Sequence, residues 1–176
     1  MHDDFEGRIQ NFKNYKGTSP DDLQGHGTHV AGIALGNGKL SGSTPATNDY
    51  DGSYAGVAPA ATVYVQAIAS DDPFDPFVYP PPESVTLQDS YVNGVRIHSH
   101  SYGSSIPSTL GNYTGSTAQV DDHIWMFKDY VAVYGAGNLG LVYGSGSIDT
   151  NAAAKNAIAV GGSENVKPSL SDPPGV

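Results

Sequence analysis

Residues 95–138 read VRIHSHSYGSSIPSTLGNYTGSTAQVDDHIWMFKDYVAVYGAGN. Two short runs rich in β-branched and aromatic residues, 95–101 and 130–134, flank a segment, 117–128, in which Val120, Ile124 and Phe127 share one helical face. Strand, helix, strand at this spacing needs a crossover connection, and crossover connections build parallel sheets. The alternation extends outward in both directions. Residues 62–67 (TVYVQA) predict a strand and 83–93 a helix closed by Gly94. A further helix is predicted over 26–35, with Val30, Ile33 and Ala34 as its apolar stripe and Gly36, Asn37 and Gly38 as its stop. Residues 157–160 predict one more strand, while 1–24 read as polar and turn-rich. Residues 70–82 (SDDPFDPFVYPPP) hold five prolines, which remove donors and fix φ, so no regular element continues there. The expected fold is α/β, a parallel β-sheet flanked by helices. A chain of 176 residues is long enough for one domain with a real core.

Composition narrows the function classes. Hydrophobic residues make up 38%, and 22 glycines with 12 prolines point to many turns rather than to disorder, because apolar runs recur between them. A net charge of −10 argues against a nucleic-acid partner, which selects for Lys and Arg. With no cysteine there is no disulfide, no thiolate chemistry and no cysteine-based metal site. No apolar run approaches the ~20 residues that span a bilayer, so no membrane partner is expected. The first ten residues, MHDDFEGRIQ, lack the basic and apolar regions of a signal peptide.

Three constellations carry chemistry. The first is HGTHVAG, residues 26–32. A histidine at a helix start is held at a fixed angle with one ring nitrogen free to take a proton, and Gly27, Ala31 and Gly32 allow close approach of other backbone. A zinc reading fails, because the HExxH motif needs Glu where Gly27 stands and a four-residue histidine step. The second is Gly135-Ala136-Gly137-Asn138 after an apolar strand, where the Asn amide can face a developing negative oxygen. Taken alone, it is also an ordinary turn. The third is Ser99-His100-Ser101-Tyr102-Gly103, an extended edge that can pair with a peptide strand. His98 and His100 lie on one face of that strand and read as packing or surface residues, not ligands.

In this order, the segments resemble the subtilisin family of serine proteases. The matching stretches are HGTHVAG (26–32), GVAPAATVY (56–64), HSHSYGS (98–104), VYGAGNLG (133–140) and AAAKNAIAVGGSEN (152–165). MHDDFEGRI is similar to a segment of the alkaline-protease branch that sits between the catalytic Asp and His. The resemblance implies that His26 is the general base, Asn138 the oxyanion-hole donor, and Ser101, Tyr102 and Gly103 one wall of the substrate cleft. His29 matches a structural position of the family and is left out of the site.

The resemblance also implies what is missing. Family order is Asp, His, Ser, with the Asp about thirty residues before the His and the Ser about 160 after it. Both positions fall outside residues 1–176, and no GTSMA-like segment occurs. Asp3, Asp4, Asp21 and Asp22 are too close to His26 to be the triad Asp. The expectation is a partial catalytic domain, residues 1–176, without the Asp-bearing strand and the Ser-bearing helix, inactive alone and prone to self-association. A second reading is a short non-catalytic relative that binds peptides or proteins. The expected partner is a protein or peptide substrate, and secretion to the extracellular space is what the family implies. No cofactor is needed for the chemistry. The family admits structural calcium, with Asn48, Asp49 and Asp51 as a candidate loop, although solvated loop carboxylates are the plainer reading. Residues 70–82, rich in Asp and Pro, are expected to favour basic substrate residues.

Overall fold

The protein is described here from a computed structural model covering residues 2–41, 53–72, 74, 75, 77–103 and 106–163. The Asn48, Asp49, Asp51 loop and the proline-rich 168–176 segment lie outside these residues. The elements run β1 (Ile9–Asn14), α1 (His26–Leu35), β2 (Val63–Ala67), α2 (Glu83–Val92), β3 (Ile97–His100), α3 (Gly115–Met126), β4 (Val131–Gly135), α4 (Gly140–Tyr143) and β5 (Ile158–Val160). Every strand pairing in the sheets is parallel. The strands form two sheets, β1-β2 and β3-β4-β5. The α/β class read from the 95–138 stretch is therefore observed, with β3-α3-β4 as its crossover unit.

β1 was not legible as a strand. Only Ile9, Phe12 and Asn14 of IQNFKN are partly covered, and the register slips between Ile9 and Asn11. A bulge of this kind erases the two-residue alternation on which strand reading depends. α3 opens two residues earlier than its apolar face indicated, because Thr114 and Thr117 form a reciprocal capping box.

The core lies between α2, α3 and the β3-β4-β5 sheet. Leu87, Val120, Tyr130, Ala132, Tyr134, Ala152 and Ala154 are buried together, with Tyr91, Ile124 and Phe127 packed against them. The register sets Ile97 beside Val131 and Val133 beside Ile158, which places those side chains on the opposite face. On that face Ile97, Val131, Ile158 and Val160 are all exposed.

α1 departs from expectation. None of its residues is buried, and Ile33 is exposed, so its predicted apolar stripe does not face a core. Backbone contact holds the helix instead. The carbonyls of Ile33 and Ala34 accept hydrogen bonds from the amides of Val57 and Ala58. A Cβ on Gly56 would stand 2.5 Å from the Gly32 carbonyl oxygen, so only glycine permits this approach. The glycines that allow close contact are thus Gly36 and Gly56, whereas Gly32 has nothing within 4 Å of a built Cβ.

Asp89 on α2 ties the two sheets together. Its carboxylate accepts hydrogen bonds from the Tyr15 and Tyr64 hydroxyls, the Gln66 amide and the Lys13 ammonium. Partial burial pushes its pKa up, but these four donors outweigh burial and hold it down at about 2. Asp89→Ala is expected to cost about 2 kcal/mol in urea denaturation near neutral pH, since three neutral donors and one cation lose their acceptor while water replaces part of it. A folded-state pKa below the unfolded value stabilises at higher pH, and the gain disappears as pH falls through about 2. The stability gap between wild type and Asp89→Ala should therefore shrink as pH is lowered from about 5 to 2. A gap unchanged over that range would remove the carboxylate from its linking role.

Candidate functional site

His26 is the first residue of α1. The residue before it, Gly25, has φ 75°, a left-handed conformation that suits glycine. No side chain caps this helix from the Ncap position. Asp22 supplies that function from outside, accepting from the amides of Gly25 at 3.0 Å and Thr28 at 2.7 Å. Partial burial raises its carboxyl, and the hydrogen bonds from Thr28, Gly25 and Gln24 more than reverse this, leaving the pKa below the ordinary value. Asp22 is committed to starting the helix, which agrees with its exclusion as the histidine's carboxylate partner. The ring of His26 is exposed and has no hydrogen bond or ion pair among the described residues.

Ser101, Tyr102 and Gly103 follow directly on β3, and Ala136, Gly137 and Asn138 follow on β4. Because β3 and β4 are parallel neighbours, with His100 beside Tyr134, both segments leave the sheet at the same carboxyl-terminal edge. Ligands of open parallel sheets bind at that edge. Gly137 takes φ 105°, turning the chain so that Asn138 is exposed. The Asn138 side chain makes no hydrogen bond among the described residues. The sheet thus brings four of the five predicted residues to one edge. Asn138, Ser101, Tyr102 and Gly103 share that edge, and His26 stands on α1. Gln24, two residues before His26, reaches the carbonyl of Asp75 in the proline-rich loop at 3.4 Å.

That loop is less available than its composition suggested. The Asp71 carboxylate accepts from the amides of Thr18 and Ser19 and from the Asn14 side chain, and these bonds hold its pKa below the ordinary value. Phe74 and Phe77, by contrast, are exposed.

Beneath the edge lies a buried polar cluster. His100 stacks on Tyr134 with ring centroids 4.4 Å apart, and its Nδ1 is 3.0 Å from the Tyr102 hydroxyl. Burial keeps His98 at about 4 and drives His100 well below the ordinary histidine value, so both rings are neutral near neutral pH. They are packing residues, as the strand pattern indicated. Glu83, the first residue of α2, is 3% exposed and accepts from the Tyr134 hydroxyl and the Asn151 amide. Burial pushes its carboxyl up to about 7, with the Tyr134 hydrogen bond opposing and the charge of Asp149 adding. Neither Glu83 nor Asp149 was legible as part of a site. Each is an isolated acid in the chain, and only folding places them beside the 101–103 wall.

Among the described residues, no group of three or more His, Cys, Asp or Glu side chains is arranged to hold a metal. None of the described helices is long and apolar enough to cross a membrane.

Comparison with known proteins gives three results. A family model described as the subtilase family matches residues 2–172. Among curated proteins, the chain is 34% identical over 142 residues to the Dictyostelium discoideum serine protease/ABC transporter B family protein tagD, covering 80% of this chain and 7% of that protein. It is 32% identical to tagB of the same organism, over 80% of this chain and 7% of the relative, and 26% identical to tagA, over 89% and 8%. The chain therefore spans less than a tenth of the length of the curated relatives it matches. No solved structure gives a significant match.

Proposed function

The chain belongs to the subtilase family, and from that membership we propose that it supplies the general base and the oxyanion donor of a serine endopeptidase. One observation carries the reading. His26 and Asn138, which match the family's base and oxyanion-donor positions, are both exposed, and neither side chain is committed to a partner among the described residues. Exposed and uncommitted, both side chains keep their hydrogen-bonding capacity for a substrate.

In the proposed reaction a serine from outside these residues attacks the scissile carbonyl carbon. His26 takes the hydroxyl proton as the new C–O bond forms. Asn138 donates its amide hydrogen to the oxygen on which negative charge develops. His26 then returns the proton to the leaving amine as the C–N bond breaks, and water releases the acyl group by the same sequence in reverse. The peptide lies along 101–103 as an added strand. The printed names of the relatives, which couple a serine protease to an ABC transporter, agree with the peptidase half of this reading.

Labelling with a fluorophosphonate probe, read by intact mass, tests it. The 176-residue chain should take no adduct, and the longest open reading frame containing it should take one equivalent. A stoichiometric adduct on the 176 residues would place the nucleophile among them and overturn the assignment. A longer product that stays unlabelled would overturn the peptidase reading itself.

A further inference from the structure

We propose that Glu83 is a positioning residue of this cleft: the proton on its carboxyl decides which nitrogen of His100 carries hydrogen, and through His100 whether the Tyr102 hydroxyl is held in the wall. The inference rests on the peptidase reading and adds to it a proton-linked control of peptide binding.

The carboxyl of Glu83 reaches from α2 to side chains of β3 and β4. Its Oε1 accepts from Asn151 Nδ2 at 2.8 Å and its Oε2 from the Tyr134 hydroxyl at 3.0 Å. The same Oε2 stands 3.9 Å from Nδ1 of His100, a buried residue whose ring stacks on Tyr134. That Nδ1 in turn lies 3.0 Å from the hydroxyl of Tyr102. One ring nitrogen therefore faces both the carboxyl and the cleft wall. The other, Nε2, is buried without a hydrogen-bond partner among the described residues. With no hydrogen bond there to fix the tautomer, the oxygens facing Nδ1 decide it.

Two states follow. While Glu83 is protonated and neutral, His100 Nδ1 accepts the Tyr102 O–H, and the phenol is anchored to β3. When Glu83 ionises, its charge draws the imidazole proton to Nδ1, because a lone pair facing a buried anion is repelled far more strongly than in water. The Tyr102 O–H then faces an N–H and has lost its acceptor. At a half-buried position that loss favours turning the ring away from the wall. Both states lie close to neutral pH, since burial pushes the Glu83 carboxyl up to about 7, with the Tyr134 hydrogen bond opposing and the charge of Asp149 adding. The other titratable side chains around it keep one form over that range. Burial holds His98 and His100 on β3 neutral and pushes Tyr102, Tyr130 and Tyr134 above the ordinary phenol value. From α3, His123 is likewise lowered by burial, and Asp122 lines the α2–α3 groove beside Ser84.

The test follows KM and kcat from about pH 6 to about pH 8 on a peptide without ionisable groups. It uses the longest open reading frame containing these residues, as wild type, Glu83→Gln and Tyr102→Phe. With the carboxyl at about 7, the neutral fraction falls ~10-fold across the range, so wild-type KM should rise ~10-fold. Glu83→Gln keeps the shape of the neutral acid and cannot ionise, so its KM should stay within ~2-fold. Tyr102→Phe removes the group that is held, and its KM should be equally flat, above the wild-type value at the acid end. The proton transfer by His26 is carried in kcat and read separately. If Glu83 only supported the fold, Tyr102→Phe would retain the wild-type slope. A flat wild-type KM, a rise that survives Glu83→Gln, or that retained slope would overturn the inference and leave the peptidase reading standing. No cleavage by wild type would overturn both.

Discussion

Replacing His26 by alanine is expected to lower kcat by about 10⁶ in the open reading frame that contains this domain, a magnitude measured on subtilisin's own triad rather than calculated from this chain. The step lost is the proton transfer. Without a base the serine hydroxyl attacks as a neutral nucleophile, and the leaving amine has no proton source. The fold should be indifferent to the change. His26 is exposed, its ring has no hydrogen-bond partner among the described residues, and alanine is a good helix former in the first turn. The check is paired: peptide hydrolysis followed to its background rate, and a thermal melt of each variant. A loss below about 10³ with an unchanged melt would show that His26 is not the base, since binding and the oxyanion hole alone leave a residual of 10³–10⁴ over water.

Asn138→Ala should lower kcat by about 10²–10³ and leave KM nearly unchanged, again a magnitude established on the subtilisin oxyanion donor. The asymmetry follows from when the hydrogen bond matters. A planar carbonyl in the bound substrate gains little from the amide, while the tetrahedral oxyanion gains the full charge-assisted bond. Gly137 at φ 105° sets the turn that exposes Asn138 and is untouched by this substitution. A KM that rises with kcat unchanged would make Asn138 a ground-state contact of the wall instead.

Much of the architecture was legible because it is written locally. The helix over 26–35, the helix over 83–93 and the strands near 62–67, 95–101, 130–134 and 157–160 all appear within a few residues of their expected bounds. Periodicity and glycine stops act over one or two turns of chain, so a single sequence displays them. The two motifs that define the proposed chemistry, HGTHVAG and GAGN, are equally local: one opens a helix and the other closes a strand.

The misreadings have a common cause. β1 was hidden by a bulge and became a strand only through pairing with β2, more than fifty residues away. Ile33 looked like a core residue, yet its helix is held by backbone contacts to 56–58 and leaves that side chain exposed. Asp71 was read only as one of the acids of the 70–82 loop, and its carboxylate accepts from the amides of Thr18 and Ser19. In each case the partner that decided the outcome lies far along the chain.

By itself the sequence determined the class of the fold and the parallel sense of its strands, because hydrophobic period and turn chemistry are short-range properties, while the base and oxyanion-donor candidates came from motifs that resemble the family. Only the tertiary structure decided that the strands split into two sheets joined through Asp89, and that Glu83 meets Tyr134 and Asn151. Those outcomes depend on burial and on hydrogen bonds between residues tens of positions apart, and no local pattern records which distant donor a carboxylate will meet.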